Sequence, residues 1–160
     1  MINRASELIR RLGLKPHPEG GYYGEVYRAH QKVITEGKTE RTALTTIFFL
    51  LAAGQKSAWH RVTGEEVWHY YEGDPLELYQ ADPDLKSHSV SRIGPTGDDV
   101  RPAAVVPGGY WQAARTTGDY TLAGCTVGPG FEFEDFMLLR DDPEKSTRFF
   151  TRYPETKEFL

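Results

Sequence analysis

A single cysteine, Cys125, is all this chain of 160 residues carries. One thiol permits no intrachain disulfide, and the expectation is a reducing, cytoplasmic setting. Runs of lysine and arginine are missing too. The formal net charge is −4, which leaves no basic footprint for nucleic acid. Long hydrophobic runs are also lacking: the apolar stretch from Ile47 to Ala53 is far too short to span a bilayer as a helix. The amino terminus shows no uninterrupted apolar segment or cleavage site of a secretory signal. Neither a membrane nor a nucleic-acid partner is expected. A glycine-rich phosphate loop is absent as well, because Gly20-Gly21 and Gly108-Gly109 precede predicted strands and lack a lysine partner.

What the chain does have is turn chemistry. Sixteen glycines and ten prolines, among 39% hydrophobic and 26% charged residues, point to short strands joined by tight turns in one domain spanning 1–160. A short amphipathic helix is predicted over residues 3–12. Asn3 suits the N-cap, Ala5, Leu8, Ile9 and Leu12 recur at helical spacing, and Gly13 is placed to end the last turn. Strands are predicted near 21–29, 42–53, 57–62, 65–72, 75–81, 87–93, 103–107, 110–116, 119–127 and 131–139. The tail after Arg140 is predicted to hold a short helix around 154–160. Strands at this spacing predict an all-β, double-sheet jelly roll.

Four residues stand out within that frame: Gly54, His60, Glu66 and Gly73. His60 and Glu66 fall on two adjacent strands joined by a tight turn at Thr63-Gly64, and side chains alternate faces along a strand. A shift of one residue sends either group to the wrong side. Further along, Pro107-Gly108-Gly109-Tyr110-Trp111-Gln112 forms a second turn-and-strand signal. These two stretches resemble the two motifs of the cupin superfamily. The segments Leu14–Tyr23, Glu65–Pro75 and Pro129–Phe136 resemble a single-domain cupin subgroup of unknown function. The resemblance implies a double-stranded β-helix, the RmlC-like jelly-roll barrel, with His60, Glu66 and position 112 converging inside it. It also implies an incomplete metal site. The customary second histidine is Val62, the histidine of the second motif is Gln112, and the asparagine four residues later is Thr116. A neutral amide is a poor transition-metal donor, whereas a buried glutamine hydrogen-bonds an organic ligand through both ends of its amide. A divalent metal on His60, Glu66 and Gln112 and a metal-free organic-ligand pocket both stay open.

Alternation extends the candidate set. Glu66, Trp68 and Tyr70 share one face of their strand, so Trp68 and Tyr70 are expected to follow Glu66 inward, either lining a cavity or filling the barrel as core. On the predicted strand 131–139, Phe131, Phe133, Asp135, Met137 and Leu139 share the other largely apolar face. Asp135, if inward, must be paired or protonated. It either orients His60 as an acid–histidine pair for general base catalysis or ties down a loop. Tyr23 or Tyr70 would serve as an opposing acid. Tyr22, Tyr23 and Tyr27 suit either a subunit interface or the cavity rim, and three tryptophans, nine tyrosines and eight phenylalanines favour a homodimer. His17, His30, His69 and His88 show no ligand spacing. Cys125, mid-strand, is expected to be a buried inert thiol. Arg28, Arg41, Arg61 and Arg115 suit an anion only if they converge.

Four functions fit these residues. The first is a small-molecule-binding cupin, its ligand near His60, Glu66, Trp68, Gln112, Tyr23 and Phe133. The second is a metal-independent sugar epimerase-like or isomerase-like enzyme, with His60, Asp135 and Tyr70 as its catalytic groups. A divalent-metal cupin enzyme and a structural or storage protein complete the set.

Overall fold

A computed structural model describes residues 3–160. The amino-terminal helix α1 (Arg4–Leu12) starts where expected: the Asn3 side chain accepts from the Ser6 N–H at 2.9 Å, and Gly13 closes the helix in the left-handed conformation, φ 63°. Fourteen strands follow: β1 (Lys15–Pro16), β2 (Tyr22–Arg28), β3 (Lys32–Ile34), β4 (Glu40–Thr42), β5 (Thr45–Ala52), β6 (Lys56–Arg61), β7 (Glu65–Gly73), β8 (Leu76–Ala81), β9 (His88–Ile93), β10 (Val100–Arg101), β11 (Ala103–Val106), β12 (Trp111–Thr116), β13 (Tyr120–Gly128) and β14 (Met137–Leu138). Two sheets result, in the orders β1-β2-β5-β13-β7-β11 and β10-β9-β8-β12-β6-β14, with β3 and β4 as a separate hairpin. They face one another as a jelly roll that is not closed into a continuous barrel.

Three apolar clusters hold this sandwich. Phe49, Leu51, Trp68, Leu76, Leu78 and Ile93 pack between the sheets. The odd–even rule then sends Leu50 to the outside of the first sheet, where it meets Ala5 and Leu8 of α1. The outer face of the second sheet is covered from the carboxyl end. There α2 (Pro143–Arg152) and a 3₁₀ segment (Pro154–Phe159) bring Phe149, Phe150 and Phe159 onto Trp59 and Trp111. Each sheet is therefore apolar on both faces.

Two predicted elements differ. The tail has ten residues of α-helix before the 154–159 turn, started by Asp142, whose side chain accepts from Lys145 N–H, with Pro143 in the first turn. The predicted strand 131–139 is instead a 3₁₀ turn (Phe133–Asp135), the two-residue β14 and a second 3₁₀ turn (Leu139–Asp141). The alternation in Phe131–Leu139 thus has no pleated backbone beneath it.

Candidate functional site

The site begins with an irregularity in β6. Gln112 of β12 lies opposite His60, but Ala114 lies opposite Ser57. Two residues, Ala58 and Trp59, thus face the single Ala113, which is a β-bulge. The extra residue returns Ser57 and His60 to the same side. Against them lies the loop 17–21. The Ala58 N–H donates to the Glu19 carbonyl at 2.8 Å, and a Cβ on Gly20 would stand 2.1 Å from the Lys56 carbonyl oxygen. Only glycine, here at φ 108°, lets the loop backbone come this close.

That approach delivers Glu19 to His60. Ser57 Oγ donates to Glu19 Oε1 at 2.8 Å, and Glu19 Oε2 lies 3.1 Å from His60 Nε2. His60 Nδ1 is 2.8 Å from the Ala58 carbonyl, which can only accept, so Nδ1 carries the ring proton. With both groups uncharged, Nε2 is then a bare acceptor beside the Glu19 carboxyl. Burial favours this state from both sides. It raises Glu19 to about 7, against the pull of His17 and the Ser57 hydrogen bond. It also lowers His60 below the ordinary histidine value, against the Glu66 charge and the bond to Ala58. Glu66, across the sandwich on β7, is raised too, by burial first and then by the Glu19 charge, with His60, Gln112 and Cys125 opposing.

These groups border a cavity of about 360 Å³ whose polar end holds His17, Glu19, His60 and Glu66. Its wall is aromatic. His17 meets Tyr23 edge-on at 4.6 Å, Phe136 lies 5.5 Å from His60, and Phe131 meets Phe133 at 5.0 Å between centroids. The 131–136 loop is tied down from outside, Glu132 by Arg28 at 2.7 Å and Glu134 by Arg41 at 2.7 Å.

His60, Glu66, Tyr23 and Phe133 all line the cavity, with Phe133 half exposed at 52%. Gln112 and Trp68 do not line it. The Gln112 amide donates to Glu66 Oε2 and its carbonyl accepts from Trp68 Nε1 at 2.8 Å, so both ends are used within the protein. Gln112 braces Glu66 across the two sheets. Tyr70 is spent on the Gly73 carbonyl at 2.6 Å, away from the cavity. Asp135 is not the partner of His60. The 3₁₀ turn swings it outward, where its oxygens accept from Arg41 at 2.8 and 3.0 Å, and Phe136 takes the inward position. Glu19, not Asp135, is the carboxyl beside His60. Tyr22 packs toward α1 and Tyr27 is exposed, so of the three tyrosines only Tyr23 reaches the cavity. The four arginines do not converge: Arg28 and Arg41 hold the loop, Arg115 pairs with Glu77 and Glu158, and Arg61 lies over Trp111.

His17, Glu19 and Ser57 escape strand-pattern reasoning. The first two sit in a loop, where alternation says nothing, and Ser57 needs the bulge. Their one sequence signal is the Pro16-His17-Pro18-Glu19-Gly20-Gly21 stretch, whose paired glycines mark a backbone pressed against another element. Cys125 is buried on the cavity wall, its thiol held well above the ordinary range by burial and the neighbouring Glu66.

The residues present do not fit the metal that the fold family implies. Among the described residues no three His, Cys, Asp or Glu side chains are placed to hold a common ion. The free nitrogen of His60 faces Glu19, and the Gln112 carbonyl faces Trp68.

A two-sheet jelly roll with a histidine and a glutamate converging from opposite sheets is the cupin architecture. The chain belongs to the family described as Cupin superfamily (DUF985), whose model matches residues 6–139. The match ends before α2. Among solved structures it is similar to a hypothetical protein from Leishmania major, at 36% identity over 84% of this chain and 86% of that one, with a TM-score of 0.78. It is also similar to a protein from Shewanella oneidensis, at 33% identity over 85% and 84%, with a TM-score of 0.77. Oxalate decarboxylase from Bacillus subtilis shares the fold alone, at 17% identity over 78% of this chain and 29% of that one, with a TM-score of 0.56. Among curated proteins none matches the chain.

Proposed function

We propose that this cupin binds a small polar organic molecule in the cavity and moves a proton on it, as a metal-independent isomerase or epimerase does. One observation carries the reading: Glu19 Oε2 and His60 Nε2, both buried, lie 3.1 Å apart beside a second buried carboxyl, Glu66, on the same cavity. A binding pocket needs no such set. Proton transfer does, because an acid and a base must be poised near neutral pH, and burial tunes carboxyls toward that range. Glu19 and His60 set an acid beside a base, and Glu66 is a second carboxyl on the same cavity. Tyr23 is the phenol nearest this set, in edge contact with His17. The aromatic wall supplies apolar contact and orientation, as small-molecule sites generally do.

The test is a binding screen by thermal shift with free sugars, nucleotide-sugars and hydroxy acids, followed by NMR of any bound compound in deuterated water. Deuterium is expected to enter the ligand at one carbon with the wild-type protein and not with Glu19→Gln. Binding with no exchange at all points to a binding module instead. Exchange that appears only after stoichiometric loading with manganese, iron, nickel or zinc favours a divalent-metal enzyme.

A further inference from the structure

We infer that the cavity takes a small organic cation, an amine whose ammonium group rests against Glu66 while its carbon skeleton lies on the aromatic wall. This rests on the reading of the cavity as a ligand site and adds the ligand's charge. Glu66 is buried, and one of its oxygens accepts from Gln112. The Cys125 thiol lies beside it. No ion pair involves Glu66 among the described residues, and the cavity supplies it with no cation. Arg28 lines the mouth but is held by Glu25 and Glu132. Lys15 also lines it but is an exposed residue. His17 and His60 are both kept toward their neutral forms by burial.

An isolated carboxylate in such a place is costly unless a positive partner arrives. An incoming ammonium provides one. The Glu66 carboxylate then faces a positive charge instead of standing alone. The wall replaces the rest of the cation's hydration, since the ring faces of Phe and Tyr attract cations. Tyr23, Phe49, Phe131, Phe133 and Phe136 all border the space. An anion in the same place meets two buried carboxyls, Glu19 and Glu66. Lys15 at the mouth orders the two ends of a ligand bearing both charges, which enters ammonium first.

The inference is tested by calorimetric titration of the intact protein at pH 8 with three compounds of one skeleton: cyclohexylamine, cyclohexanol and cyclohexanecarboxylate. The amine is expected to bind at least tenfold more tightly than the alcohol, and the carboxylate more weakly than either. In Glu66→Gln the amine loses that advantage while the alcohol keeps its affinity. Should Glu66→Gln fail to fold, as read by circular dichroism, the wild-type series decides alone. An alcohol or carboxylate that binds as tightly as the amine overturns the inference, and so does absence of binding by all three at millimolar concentration. Deuterium exchange into a neutral ligand, without amine preference, removes the cation and leaves the proton-transfer reading standing. Amine preference without any exchange does the reverse.

Discussion

Strand β6 has two buried faces that are held in opposite ways. On one, Trp59 packs edge-on against Phe149 at 5.1 Å and near Phe159 at 6.3 Å. On the other, His60 is held by the Ala58 carbonyl and by Glu19. The Trp59 face depends on summed apolar area, which is forgiving of direction and spread over many atoms. The His60 face depends on a few polar contacts, each of which must be matched because unmatched polar groups are expensive when buried. The first face makes the strand stable. The second makes it specific.

Substitutions on the two faces sharpen that contrast, and the largest effect is expected on the apolar one. Trp59→Ala should cost about 3–5 kcal/mol, the usual range for deleting a large buried aromatic, and detach the carboxyl-terminal segment. Urea denaturation reads the stability, and faster amide exchange over 143–159 reads the detachment. A cost below about 1 kcal/mol would mean that α2 is held by other contacts.

Gly20→Ala attacks the other face from outside it. The added methyl meets the Lys56 carbonyl at a backbone angle that disfavours side chains, with an expected cost of about 2–3 kcal/mol. The loop should shift and carry Glu19 away from His60. The ¹⁵N chemical shifts of the His60 ring check this, because Nε2 loses its neighbouring carboxyl while Nδ1 keeps Ala58. An unchanged Nε2 signal would show that the loop does not set the pair.

Glu19→Gln is expected to have the smallest effect at acidic pH, and that effect should depend on pH. The folded-state value of Glu19 is raised from 4.5 to about 7, so the folded protein holds this proton more tightly than the unfolded chain. The wild type therefore loses stability as pH climbs from about 4.5 to about 7, and the slope ends above that range. The full loss is on the order of 3 kcal/mol for a shift of this size. Glutamine keeps an acceptor for Ser57 without titrating, so the variant should gain on the wild type across that window. His60, whose value is lowered, acts in the opposite sense below about 6.5, which is why the comparison is made between the two proteins. Parallel stability curves from pH 4.5 to 8 would show that Glu19 does not carry the raised value.

Much of this contrast can be read in the chain. The strands of both sheets and the Asn3 cap and Gly13 stop of α1 follow from local sequence signals, and the inward placement of His60 and Glu66 follows from the resemblance of their stretch to the first cupin motif. The errors fall where the backbone leaves that periodicity. Asp135 and Phe136 exchange their expected places because a 3₁₀ turn interrupts 131–139. Ser57 joins His60 because β6 bulges. Gln112 was rightly read as a buried amide, but its two ends were already satisfied by Glu66 and Trp68, a pairing across sheets that no spacing along the chain encodes.

By itself the sequence determined the jelly roll, because strand periodicity and turn residues act over a few neighbours at a time, and its motif spacing pointed to the family and to an inward histidine–glutamate pair. Tertiary structure alone decided which acid serves the histidine. Glu19 stands 41 residues from His60 along the chain, and only a glycine-permitted approach of loop to strand, burying both groups, brings the two side chains within 3.1 Å of each other.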